Sequence, residues 1–138
     1  MQIVDTHIVV NLLVAASFSG SARALYAAGA DWHTESLLTI EFSNVMATLI
    51  RRLNFPLVEA TNTLAEAKRL LRAGLHRVDD GDALDAAAHF GVTAYDARFL
   101  LVARALGSPV ITEDAKLRRV APQFTQSLAR AFASMTDN

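Results

Sequence analysis

Two rhythms of apolar and polar positions run through the chain. Ile3 and Val4 form a short apolar run that closes on Asp5, so Gln2 to Asp5 reads as a strand ending on an acid. From His7 to Ala16 apolar residues dominate, which predicts a helix buried on most sides. Ser and Gly over Ser17 to Ser21 predict a break, and Ser21 to Ala28 a short helix stopped by Gly29. The helical period is clearest over Ser36 to Leu53. There Leu38, Phe42, Val45, Met46, Leu49 and Leu53 make one stripe, and Glu41, Asn44, Thr48 and Arg52 fall away from it. Pro56 then opens a helix over Leu57 to Ala73 that Gly74 ends.

The second half is shorter-grained. Leu75 to Val78 predicts a strand, followed by an Asp-Asp-Gly-Asp turn and an Ala-rich helix from Ala83 to Phe90 with Gly91 as its stop. Tyr95 to Leu106 predicts a helix closed by Gly107, Pro109 to Thr112 a strand, and Asp114 to Val120 a short helix. Gln123 to Leu128 fits a last strand and Ala129 to Met135 a last helix. Short strands alternating with helices indicate an α/β fold: a parallel sheet of about four to five short strands covered by helices on both faces. No internal repeat or linker divides the chain, so residues 1–135 are expected to form one domain, with 136–138 as a tail.

Composition narrows the classes. A chain of 138 residues suits one core. Its apolar share of 52% and mean hydropathy of +0.26 are high for a small domain and argue against disorder. They also leave apolar surface for a partner. The absence of cysteine excludes disulfides and thiolate metal sites and favours a reducing compartment. No basic segment precedes the first apolar stretch, and Ile8 to Ala16 is interrupted by Asn11 and falls well short of the ~20 residues of a spanning helix. A cytoplasmic protein with no membrane segment is expected. The net charge of −1 gives no global signal for nucleic acid. Arg51-Arg52, Lys68-Arg69 with Arg72, and Arg118-Arg119 are local basic clusters able to follow phosphates or simply to solvate a helix face.

The acids carry the candidate chemistry. In an open parallel sheet, ligands bind outside the carboxyl ends of the strands. Asp5 and Asp114 fall at two such ends, Asp96 in the first turn of a helix, and Glu41 in mid-helix away from the apolar stripe. Each also fits a purely structural role. Asp5 and Asp114 suit helix N-caps, Thr93 to Asp96 has capping-box spacing, and Glu41 suits an exposed helix face. Asp31, Asp79, Asp80, Asp82, Asp85 and Asp137 read as turn, cap or tail acids. If the first four converge, their repulsion calls for protons or cations. Oxygen ligands select magnesium or manganese over zinc, and such ions activate water towards a phosphodiester.

With these motifs in order, the chain resembles the PIN-domain family and, within it, the VapC-type toxins of toxin–antitoxin pairs. The likeness rests on Ile3-Val4-Asp5-Thr6, on Glu41-Phe42-Ser43-Asn44-Val45-Met46, on Thr93-Ala94-Tyr95-Asp96-Ala97-Arg98-Phe99-Leu100-Leu101-Val102-Ala103, and on Pro109-Val110-Ile111-Thr112-Glu113-Asp114-Ala115-Lys116-Leu117. The resemblance implies a metal-dependent endoribonuclease in which Asp5, Glu41, Asp96 and Asp114 bind Mg2+ or Mn2+ and cut RNA. It further implies that Thr112 hydrogen-bonds within the site and that Asn44 braces the Glu41 helix. Homodimers, and a cognate antitoxin covering the site, are implied as well.

One position departs from the family. Members commonly carry Asn or Ser two residues after the first Asp, where this chain has His7. That side chain either reaches a metal or phosphate or caps the helix. His33, His76 and His89 lack ligand spacing with it, which argues against zinc. Two other functions compete. A catalytically inactive PIN-fold module binding RNA or protein has no need of all four acids. A phosphoacceptor of the receiver type needs an acid pair after its first strand and a Lys after its last, and Asp5-Thr6 and Lys116 supply neither.

Overall fold

The computed structural model describes residues 1–14 and 19–137. Five short parallel strands make one sheet: β1 (Gln2–Val4), β2 (Trp32–Glu35), β3 (Leu75–His76), β4 (Val110–Ile111) and β5 (Thr125–Gln126). Their order is β3-β2-β1-β4-β5. Eight α-helices join and cover them among the described residues: α1 (Thr6–Leu13), α2 (Ser19–Ala28), α3 (Leu37–Leu53), α4 (Leu57–Leu71), α5 (Asp80–Phe90), α6 (Ala94–Leu106), α7 (Ala115–Val120) and α8 (Leu128–Thr136). The sheet is buried on both faces, as parallel strands require. Ile3 and Val4 of β1 and Val110 and Ile111 of β4 are all without solvent contact.

The order reverses direction between β1 and β4. β1 pairs with β2 on one side and with β4 on the other, and the ladder continues through the Asp5 N–H, which donates to the Ile111 carbonyl at 3.3 Å. The carboxyl ends of β1 and β4 therefore flank the crevice at which a doubly wound sheet binds ligands.

Several helices begin and end where the sequence indicates. Gly91 and Gly107 close α5 and α6 in the left-handed region, at φ 68° and 67°, where only glycine is unstrained. Leu38, Phe42 and Met46 are the buried stripe of α3. Leu53 is not part of it: at the last residue of α3, the side chain is 71% exposed.

Other expectations need correction. Ser19 to Ser21 belong to α2 rather than to a break, and the remainder of that predicted break lies outside the described residues, as do Ala15 and Ala16. The Asp-Asp-Gly-Asp segment is a helix start: Asp79 caps α5 by accepting from the Asp82 N–H at 3.1 Å, and Asp80 to Asp82 are already helical. Acidic residues favour this end because it carries the positive pole of the helix dipole. Leu75 to Val78 is strand only over its first two residues. Of Gln123 to Leu128, only Thr125 and Gln126 are strand, behind a 3₁₀ turn at Pro122–Phe124; this short edge strand does pair with β4. Strand β2 is an addition to the sequence reading. No helix among the described residues is long and apolar enough to cross a membrane.

Candidate functional site

Asp5, Glu41, Asp96 and Asp114 line one cleft of about 890 Å³ at the carboxyl ends of β1 and β4. Each arrives there by a different local device. Asp5 ends β1 and caps α1, its Oδ1 accepting from the Ile8 N–H at 3.2 Å. Asp114 follows β4 and caps α7, its Oδ1 accepting from the Leu117 N–H at 3.0 Å. Asp96 stands in the first turn of α6, where its own N–H donates to the capping hydroxyl of Thr93 at 3.0 Å. Glu41 projects from α3 on the side that also brings Leu37, Ile40, Asn44 and Val45 to the cleft, one helix face at i, i+3, i+4 spacing.

The structural roles and the convergence thus coexist. A carboxylate has two oxygens, so capping with one leaves the group able to ligate with the other. Among the described residues, no three acidic or histidine side chains already meet around a single point. The cleft is a lined crevice and not a closed cage. A hard divalent cation can keep several waters and take only one or two carboxylates directly, so such a crevice needs no preformed cage to hold one.

Electrostatics distinguish this cleft from an ordinary acidic surface. Burial, with a smaller push from the Asp96 charge, lifts the Asp5 carboxyl to about 6, against hydrogen bonds from Thr112 and the Ile8 N–H and the charge of His7. Burial also raises Asp96, helped by the charge of Asp114 and opposed by Thr93, Lys116 and His7. Carboxyls raised chiefly by burial and further by one another are costly to ionise there, and Lys116 and His7 offset that cost only in part. No Lys or Arg is among the described residues lining the cleft. Hard oxygen donors with excess negative charge fit a divalent cation.

Two threonines organise the carboxylates. Thr112 is fully buried; its hydroxyl accepts from the Asp114 N–H at 3.1 Å and its side chain hydrogen-bonds Asp5. It therefore links the acids of β1 and β4. Thr6, which the sequence reading passed over, donates its hydroxyl to Glu41 Oε1 at 2.6 Å. Asn44 lies exposed on the cleft wall, and the observed tether on Glu41 comes from Thr6. His7 is exposed at the cleft mouth, on the first turn of α1.

Glu113, a further acid on the wall, is otherwise engaged. Its Oε1 accepts from the Leu128 N–H at 2.7 Å, capping α8, and its Oε2 lies 3.6 Å from Arg118. The remaining histidines sit elsewhere. His33 Nδ1 and His76 Nε2 are 2.9 Å apart, with Asp31 2.9 Å from His33 Nε2, while His89 packs on Phe90. Asp80 does more than start a helix, since it pairs with Arg98.

Arg98 and Glu35 form a buried pair that sequence reading missed. Glu35 ends β2 and is 1% exposed, with Arg98 Nη1 3.1 Å from its Oε2. The only available signal was positional: Glu35 is another acid at the carboxyl end of a strand, but that strand itself went unread.

The comparisons agree with this architecture. The chain is similar over 99% of its length to the crystal structure of PAE2754 from Pyrobaculum aerophilum, covering 90% of that chain with a TM-score of 0.78 and 17% sequence identity. At that identity the likeness speaks for the fold alone. No curated protein matches the sequence. The family model described as the PIN domain matches residues 3–122, from the first strand through the helix that follows Asp114, and the chain belongs to the PIN domain family.

Proposed function

We propose that this chain is a metal-dependent endoribonuclease and the toxin of a toxin–antitoxin pair. PIN domains are generally nucleases. The observation that carries the finer reading is the convergence of Asp5, Glu41, Asp96 and Asp114 on one cleft at the point where the strand order reverses. These four would hold Mg2+ or Mn2+. Bound there, the cation supplies an activated water and stabilises the leaving oxygen of a phosphodiester.

The chain's own contribution is placement. Thr112 joins the acids of β1 and β4, Thr6 holds Glu41, and the sheet ladder fixes the spacing of Asp5 and Asp114. No Lys or Arg is among the described residues of the cleft wall, so attraction of an RNA phosphate would fall to the cation, to His7 at the mouth and to Lys116, whose charge reaches Asp96.

Partnering rests on the apolar surface. Leu53, Leu57 and Val58 are each more than two-thirds exposed around the α3–α4 turn. Beside them a groove is lined by Leu13, Val14, Leu49, Leu53 and Phe55, a surface suited to an amphipathic antitoxin segment or a second copy of the chain. Leu12 and Leu64 are partly buried against the core. A cytoplasmic setting accords with the absence of cysteine.

The test is cleavage of total cellular RNA by purified protein in Mg2+, Mn2+ or EDTA, beside Asp96→Asn of confirmed fold. Metal-dependent cutting by the wild type alone is expected. Equal inertness of both proteins across RNAs and metals returns the domain to a binding module. Induced expression that arrests bacterial growth for wild type but not for Asp96→Asn is the corresponding test of the toxin role.

A further inference from the structure

Of the four cleft acids, two are fixed by the sheet and two are not. Asp5 and Asp114 follow hydrogen-bonded neighbours β1 and β4, so the ladder sets their separation. Glu41 and Asp96 ride on helices α3 and α6, whose rotation about their own axes the sheet does not determine. Thr6 tethers the Glu41 carboxylate itself, but it does not tie α3 to α6, so the placing of the two helices relative to each other needs a further link.

The Glu35–Arg98 pair occupies the right place to do so. Glu35 Oε1 accepts from the Ser36 hydroxyl at 2.7 Å and from the Leu37 N–H at 3.0 Å, which holds the first residue of α3. Its other oxygen takes Arg98 Nη1 at 3.1 Å. The same nitrogen donates to the Val78 carbonyl at 2.9 Å, and Nη2 pairs with Asp80 at the start of α5. One guanidinium thus joins α6 to the start of α3 and to the loop before α5. Arg98 lies two residues after Asp96, about 200° round the helix, so anchoring Arg98 on one side aims Asp96 from the other. Ion pairs so buried are weak contributors to net stability, since desolvation offsets their attraction. Geometry is the better account of why a carboxylate is buried at the end of β2.

We infer that Glu35 and Arg98 are positioning residues for the metal site: a clamp that sets Glu41 of α3 and Asp96 of α6 in register with each other. Neither residue is among those lining the cleft. This inference rests on the cation-binding reading given above.

The experiment is titration of Mn2+ into the full chain without RNA, by calorimetry, together with melting temperature and the cleavage rate at saturating Mn2+. The variants are Arg98→Lys, Arg98→Met, Glu35→Gln and the double Glu35→Gln/Arg98→Met, with Asp80→Asn as a control on the exposed arm. Losing a residue that orients ligands costs metal affinity about 10- to 100-fold. A loss of that size is expected for Arg98→Met and for the double variant. Arg98→Lys, which keeps the charge but not the fork, recovers part of it, and Asp80→Asn changes affinity less than threefold. Arg98→Met strands a buried carboxylate and is the variant at risk of misfolding. The double variant removes charge at both ends and keeps the test available.

A purely structural pair would lower the melting temperature and leave Mn2+ affinity of the folded protein unchanged. Wild-type affinity and rate in folded Glu35→Gln or in the double variant overturn the clamp while the metal reading stands. A wild-type chain that binds no Mn2+ overturns both.

Discussion

The Thr6 hydroxyl donates to Glu41 Oε1 across 2.6 Å, joining the first turn of α1 to the second turn of α3. Thr6 directly follows Asp5, so two consecutive residues supply one cleft acid and hold another. Thr6 is 5% exposed, and no solvent can readily replace its hydroxyl. Thr6→Val keeps the shape and removes the donor. It is expected to cost about 1.5–3 kcal/mol of stability, as for a hydrogen bond to a charged group. Cleavage should fall about tenfold as Glu41 loses its fixed rotamer, and Thr6→Ser should retain most activity. Parallel melts and cleavage assays check it; full activity in Thr6→Val would show that Glu41 is held by other means.

Asp114 both caps α7 and lines the cleft, and the two roles separate by substitution. Asparagine is as good an N-cap as aspartate, whereas alanine caps poorly. Asp114→Asn is therefore expected to stay within roughly 0.5 kcal/mol of wild-type stability yet lose cleavage. Asp114→Ala should lose cleavage and about 1 kcal/mol besides. Denaturant melts beside RNA cleavage decide it. An active Asp114→Asn would reduce this residue to a cap.

Gly74 and Gly20 predict opposite outcomes for the same change. A Cβ on Gly74 would stand 2.1 Å from the Trp32 carbonyl oxygen, a backbone atom that moves only if β2 moves. Gly74→Ala is expected to destabilise by about 1–3 kcal/mol, as overpacking does, and to disturb Glu35 at the end of the same strand. Gly20 lies in α2 with nothing among the described residues within 4 Å of its would-be Cβ. There, alanine should stabilise by about 0.5–1 kcal/mol through helix propensity. Thermal unfolding of both variants suffices; equal effects would contradict the environment of one of them.

Legibility in the sequence followed the range of the interactions involved. Helices α3 to α6 are readable because period, Pro56 and the glycine stops are local signals. β2 is not, because only four residues alternate and two of its polar side chains are buried through distant partners. The Thr34 hydroxyl donates to the Val4 carbonyl at 2.7 Å, and Glu35 meets Arg98 across 63 residues of chain. The same limit holds in the cleft. Asp5, Asp96 and Asp114 read equally well as acids of helix starts or as site acids, because Asp5 and Asp114 cap helices, Asp96 sits in a capped first turn, and only folding shows all three lining one cleft. The motif resemblance supplied what local physics does not. Thr6 and the Glu35–Arg98 pair escaped because their partners lie far away in sequence.

The raised Asp5 carboxyl makes stability depend on pH in a direction opposite to most carboxylates. Unfolded, the group ionises near 3.8; folded, burial above all holds it protonated up to about 6. Between those values the folded state binds more protons than the unfolded one, so stability falls as pH rises through the window. Below 3.8 the effect vanishes, and above about 6 it is complete, on the order of 3 kcal/mol. Asp5→Asn cannot ionise and keeps a capping oxygen. In EDTA at pH 7 it is therefore expected to be more stable than wild type, with the two converging towards pH 4. A divalent cation reverses the sign, because it needs the ionised carboxylate and competes with its proton. Mn2+ should stabilise the wild type more at pH 7 than at pH 5 and should do far less for Asp5→Asn. Denaturant unfolding of both proteins, with and without Mn2+, measures all of this. Should Asp5→Asn prove the less stable protein at pH 7 in EDTA, the Asp5 carboxylate is stabilised in the fold and the cation has no such penalty to relieve.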